Sequence, residues 1–287
     1  MRTARRRPSG RHRSPDRLSV PSTAPALVLA VPGAACGASD EISTKIAAYA
    51  SGSCPGVVVR AGYLEGTEAN LAAVLAAVRA SGNAAPAAVV VPILTAPHPW
   101  ADAALAKAIA EAGVPVVLTG PLGPHPLLGE VLHTRLAEAG LARAGRMREI
   151  SIAAAAEGII VAAASGTPGA SAAGSGGALA GVQEAGIVAV LLAARLAAPV
   201  VPASLGNAAS LREAAERLRD ARATNLALAP CVIGPETSQH ELAAAVAETG
   251  ARSAQPLGAH PAIGQLVAMR YGAALQDPRI AGAPGVT

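Results

Sequence analysis

The segment TAPHPWAD sets His98 between two prolines and four residues ahead of Asp102. An imidazole, with an ordinary pKa of about 6.5, can ligate a divalent metal or take up a proton close to neutral pH. Glu65, in AGYLEG, supplies a carboxylate that could orient such an imidazole and attract a cation. Asp102 falls one helical turn after His98, where an acid also complements the positive end of a helix. Each has a plainer reading beside it: His98 as the cap of a helix beginning near Trp100, Glu65 as a solvated loop acid. His125 and His260 lie in LGPHP and LGAHP. A motif written twice reads as a strand-to-helix turn that both copies need, a structural role.

Other chemistries find no support. The stretch GTPGASAAGSGG (166–177) has no GK[ST], and Leu179 stands where the third glycine of GxGxxG belongs. No GxSxG elbow, HExxH pair or EF-hand loop occurs. Cys36, Cys54 and Cys231 are odd in number and never spaced as CxxC, so neither a disulfide framework nor a zinc knuckle is indicated and a reduced cytoplasm is expected.

The elements that must position these residues are short apolar runs bounded by Gly and Pro, alternating with Ala/Leu-rich segments charged on one side. That is the pattern of parallel strands joined by helices. Strands are expected at 26–31, 56–61, 87–93, 114–119, 158–164, 199–203, 224–230 and 251–255. Ser39-Asp40-Glu41 and Thr67-Glu68 read as helix starts, Gly113 and Gly250 as helix ends. In such sheets ligands bind beyond the carboxyl ends of the strands, the edge on which Glu65 and His98 are expected.

The chain is also written twice. PILTAPHPWADAALAKAIAEAG from Pro92 lies over PCVIGPETSQHELAAAVAETG from Pro230, and GPLGPHPLLGEVLHTRLAEA over QPLGAHPAIGQLVAMRYGAA. The expected organisation is a basic disordered tail (1–24), two lobes (25–148 and 149–278) and a flexible C-terminal tail (279–287), with a cleft between the lobes. The fold class is α/β, two similar lobes each with a short parallel sheet flanked by helices.

Hydrophobic residues make up 52% of the chain, with no Phe, one Trp and three Tyr, so the core is aliphatic and a flat ligand finds little surface to stack on. Residues 1–20 hold seven Arg and one Asp, and the body beyond them is net negative. A nucleic-acid partner, which needs a basic face, is therefore not expected. The apolar run before Pro32-Gly33 is short for a secretory signal, and the longest one, AGIVAVLLAARLAAPVV, is broken by Arg195 and Pro199, so no membrane span is expected.

AGYLEG (61–66), VVVPILTAPHPWAD (89–102), PLGPHPLL (121–128) and PLGAHPAIGQLVAMRY (256–271) resemble, in order and spacing, the sirohydrochlorin chelatases of the CbiX/SirB type in their fused, two-lobed form. The resemblance implies a chelatase-like fold and a lyase that inserts Co2+ or Fe2+, as substrate metal, into sirohydrochlorin for cobalamin or siroheme. It implies no permanent cofactor. Carried over by motif, His98 is metal ligand and base, Glu65 a second metal ligand and catalytic acid group, and Gly33 and Asp102 lie on the substrate side. Where the family's first histidine follows strand one, this chain has Pro32, which offers neither lone pair nor base. Two fused copies supply both cleft walls, so a cytoplasmic monomer is expected.

Overall fold

The computed structural model describes residues 24–82, 86–142, 157–164 and 175–277. All but the last residue of the basic tail, the whole C-terminal tail, the junction read between the lobes and residues 166–174 of the glycine-rich stretch lie outside the described residues. The first lobe runs β1 (Ala26–Ala34), α1 (Gly37–Ser53), β2 (Val59–Glu65), α2 (Leu71–Ser81), β3 (Ala88–Pro92), α3 (Pro99–Ala112), β4 (Val116–Leu118) and α4 (Pro126–Glu138). The second repeats the order with β5 (Gly158–Ala163), α5 (Ser175–Leu196), β6 (Val200–Ser204), α6 (Ala208–Asp220), β7 (Leu226–Pro230), α7 (Gln239–Thr249), β8 (Arg252–Ser253) and α8 (Pro261–Leu275). The sheets are β2-β1-β3-β4 and β6-β5-β7-β8, with every paired strand parallel.

Strand alternation separates three cores. Leu27, Leu29, Val31, Val89 and Val91 turn inward, as do Ile159, Val161, Ala227 and Ala229 from the other sheet, into one continuous core with α1, α4, α5 and α8 between the sheets. Val28, Ala30 and Val90 turn outward under α2 and α3, and Ile160, Ala162 and Leu228 under α6 and α7. Strands buried on both faces read as unbroken apolar runs, which is why the sequence displays them so clearly.

Boundaries shift in three places. The Pro55-Gly56 turn occupies positions expected to open β2, so that strand runs later and Glu65 is its last residue, paired with Ala34, rather than a loop residue beyond it. Helix α1 starts at Cys36-Gly37, leaving Ser39 and Asp40 inside its first turn. Helix α2 is capped by Asn70, whose side chain accepts from the Ala72 N–H at 2.9 Å, and not by Thr67. Gly113 and Gly250 end their helices as expected, both left-handed.

The lobes grip one another reciprocally through the repeated motif. Arg135 on α4 donates from Nε (3.1 Å) and Nη2 (2.8 Å) to the Leu257 carbonyl in LGAHP. Arg270 on α8 donates from Nη2 to the Gly123 carbonyl in LGPHP, at 3.3 Å. Hydrogen bonds from a charged donor contribute about 1.5–3 kcal/mol each. Arg135→Ala is therefore expected to lower the unfolding free energy by about 2 kcal/mol, more than Arg270→Ala with its single longer bond. Urea denaturation of the two variants measures the difference.

Candidate functional site

Three turns at the carboxyl edges of the strands meet between the lobes. Thr95, beyond β3, donates its hydroxyl to the Cys231 carbonyl, beyond β7, in a buried bond of 2.6 Å. Gly33 at the end of β1 is left-handed (φ +84), and a Cβ there would lie 3.6 Å from the Pro235 carbonyl oxygen. Gly234 packs against Ile42 of α1, whose Cδ1 would lie 3.1 Å from an added Cβ. The turns 32–36, 93–98 and 231–236 thus meet in one seam between the lobes.

His98 is only 4% exposed. Its backbone is extended and it is the N-cap of α3, with Pro99 at the first helical position. Its Nδ1 accepts from the Ala101 N–H at 3.5 Å, and its ring stands edge-on to Trp100 at 6.2 Å. The capping role weighed from sequence is present, but 3.5 Å is outside the usual range for N–H donors, so the bond holds the tautomer weakly.

Glu65 is exposed, and β1 lies between its strand and β3, so about 10 Å of sheet separates the two backbones. Asp102 is exposed in the first turn of α3, tied to His98 through its backbone N–H to the His98 carbonyl at 2.9 Å. Of the four residues singled out from sequence, Gly33 and His98 lie on the seam while Glu65 and Asp102 face outward beside it. Among the described residues, no group of three or more His, Cys, Asp or Glu is placed to hold a metal ion.

His125 and His260 cap α4 and α8, each accepting through Nδ1 from the N–H two residues on, at 3.1 and 3.2 Å. Burial lowers both pKa values, and the opposite lobe's arginine lowers them further, Arg270 for His125 and Arg135 for His260. A neutral imidazole is what an acceptor cap requires.

Several site groups were not singled out from sequence. The Glu236 carboxylate accepts the N–H of Ile233 and, at 2.8 Å, that of Gly234, closing the β7–α7 turn. Burial pushes its pKa up to about 6 against those backbone bonds. Burial also pushes the neighbouring Cys231 thiol up to about 12, with the charges of Glu236 and Glu184 adding. Glu184 on α5 is raised by burial and opposed by Arg270, and among the described residues its buried Oε2 has no hydrogen-bond partner. On the first lobe, the Tyr63 hydroxyl donates to Asp40 Oδ1 at 2.8 Å and shares a 2.6 Å bond with Ser43 Oγ, pinning the start of α1. A signal for Glu236 was in plain view, since the repeat register lays it over His98.

The CbiX family model matches residues 26–139, from the first residue of β1 to the end of α4. The first lobe belongs to the CbiX family. The CbiX lobe carries AGYLEG, TAPHPWAD and LGPHP within the matched span. Across both lobes the described residues share the fold of solved chelatases of the CbiX and SirB type. The chain resembles "SirB from Bacillus subtilis with Fe3+" at TM-score 0.62 and 15% identity, covering 91% of this chain and 98% of that one. It resembles "CbiX, the terminal Enzyme for Biosynthesis of Siroheme in Denitrifying Bacteria" at TM-score 0.57 and 20% identity, covering 88% and 100%. SirB from Bacillus subtilis subspecies spizizenii in complex with cobalt aligns at TM-score 0.56 and 14% identity, over 91% and 98%. A search of curated proteins gives no significant match. Beside the CbiX lobe and throughout the described residues, no helix is long and apolar enough to cross a membrane.

Proposed function

We propose that this protein is a sirohydrochlorin chelatase, inserting Co2+ or Fe2+ into sirohydrochlorin on a route to cobalamin or siroheme. The observation that carries the reading is the CbiX match over residues 26–139, which contains His98 on the inter-lobe seam. The similar proteins solved with Fe3+ and with cobalt support iron or cobalt as the metal substrate. Co2+ and Fe2+ accept nitrogen and oxygen ligands alike, so a carboxylate and then an imidazole can hold the ion weakly in turn.

In this reading His98 gives up its 3.5 Å cap bond, ligates the incoming ion and, once the ion has passed to the macrocycle and freed that nitrogen, takes a pyrrole proton. Glu65, exposed at the lip of β2, passes the ion inward, and Gly33 and Asp102 border the macrocycle. With few aromatic side chains available, the macrocycle is held by its edges and polar groups rather than by stacking. Both walls come from one chain, which fits a monomer working in the cytoplasm.

The test is anaerobic stopped-flow absorbance of sirohydrochlorin mixed with Co2+, with and without the protein. Metal entry faster than the spontaneous rate is the expected result. Binding of sirohydrochlorin without acceleration would overturn the enzyme reading and leave a non-catalytic tetrapyrrole carrier, the outcome to which Pro32 would then point.

A further inference from the structure

Metal entry releases two protons, one from each of two pyrrole N–H groups, and the residue at the first strand's end, Pro32, cannot receive either. We infer that Glu236 is the second proton acceptor of the cleft, a carboxylate that the second lobe presents where the first presents His98. This rests on the chelatase reading and deepens it.

The repeat register is the first ground. Pro92 lies over Pro230, and six residues on, His98 lies over Glu236. The second ground is contact. The two turns are tied by the buried 2.6 Å bond from Thr95 to the Cys231 carbonyl, and Pro235, next to Glu236, faces Gly33. Glu236 therefore stands on the far side of the seam from the position that lost its base.

The third ground is acceptor capacity. One oxygen of the carboxylate receives the Ile233 N–H and the other the Gly234 N–H, and the residue's own backbone N–H adds a third bond, which leaves one of about four lone-pair sites open. The residue as a whole is partly exposed although Cys231, Val232 and Ile233 before it are buried. A pKa of about 6 makes Glu236 a base near neutrality, close to the behaviour of the imidazole that Pro32 replaces.

The other titratable groups around this turn do not compete. The Cys231 thiol, at about 12, stays protonated. Glu184 faces Cys231 from α5 and is opposed by Arg270 of α8. From the first lobe Gly33, Ile42 and Thr95 contact this turn, and Glu241 of α7 is bonded to Thr237 and Ser238.

The step balances simply. A pyrrole N–H bond breaks, its electron pair remains on nitrogen and becomes the metal–nitrogen bond, and the proton forms an O–H bond on Glu236. His98 takes the other proton. Both return theirs to water when the metallated product leaves.

The sign of the pH dependence follows. Glu236 is ionised, and can accept, above pH 6, so turnover should rise from pH 5 to 7 with a midpoint near 6. The experiment is the Co2+ chelation rate against pH for wild type, Glu236→Gln and Glu236→Asp, with circular dichroism melts to show that each is folded. Glu236→Gln should slow turnover about 100-fold and leave only the share of that limb that His98 contributes, and Glu236→Asp should recover part of the rate. A Glu236→Gln rate within twofold of wild type, with the limb intact, overturns the inference.

A second readout is independent of turnover. In protein labelled with 13C at glutamate Cδ, the resonance missing from Glu236→Gln identifies this carboxyl. Adding sirohydrochlorin without metal should shift its titration midpoint, and an unmoved midpoint overturns the inference. Failure of wild type to accelerate chelation refutes the chelatase reading by itself, while the NMR titration still reports on Glu236.

Discussion

Gly264→Ala is expected to be strongly destabilising for the addition of a single methyl group. Gly264 lies where α8 crosses α1, and a Cβ there would overlap the Cβ of Tyr49 and come within 3.1 Å of the Ala50 backbone nitrogen. Both clashing groups are fixed to backbone, so no rotamer change relieves them and the helices must separate. Overpacking of this kind costs about 3 kcal/mol, against which the better helix propensity of alanine returns about 1 kcal/mol. A net loss of about 2 kcal/mol lowers the melting temperature by roughly 4–8 °C in a chain of this size. Gly52→Ala, also helical but with nothing within 4 Å of the added Cβ, should be neutral or slightly stabilising. Differential scanning calorimetry of the pair tests the crossing itself, because helix propensity is common to both.

His98→Asn should abolish catalysis while leaving the fold alone. Asparagine is among the best N-cap residues, so it replaces the Nδ1 acceptor for the Ala101 N–H and keeps α3 started at Pro99. It has no group that accepts a proton near neutral pH. Loss of a positioned base costs about 100-fold to 10,000-fold, so the chelation rate should fall to that of buffer with an unchanged melting temperature. A rate within threefold of wild type would make His98 a cap and nothing more.

The repeat and the strands of both lobes were legible because their evidence is redundant: two copies, strands apolar on both faces, and glycine at equivalent helix ends. Helix starts were less so. Ser39-Asp40 is a good capping sequence that the structure places inside α1, because β1 runs on through Pro32 to Ala34 and the chain turns directly at Cys36-Gly37. The site was half legible. His98 and Gly33 carry the family's spacing, whereas Glu236 interacts through burial and through N–H groups of its own turn, which no spacing of residue types displays. Glu65 was expected beside His98 because both follow strands on one edge. Lateral order decides that, and β1 stands between β2 and β3.

The four helices sandwiched between the sheets have a mechanical meaning. A cleft between two independently cored lobes can open and shut about a hinge, but here α1, α4, α5 and α8 fill a single apolar layer to which both sheets contribute. Swinging one lobe would expose that layer to water along its length, at about 25 cal/mol for every Å² uncovered. The turns that meet at the seam are therefore held at a fixed spacing. In the chelatase reading, His98 and Glu236 would meet their substrate with that spacing already set by the packing of the helices.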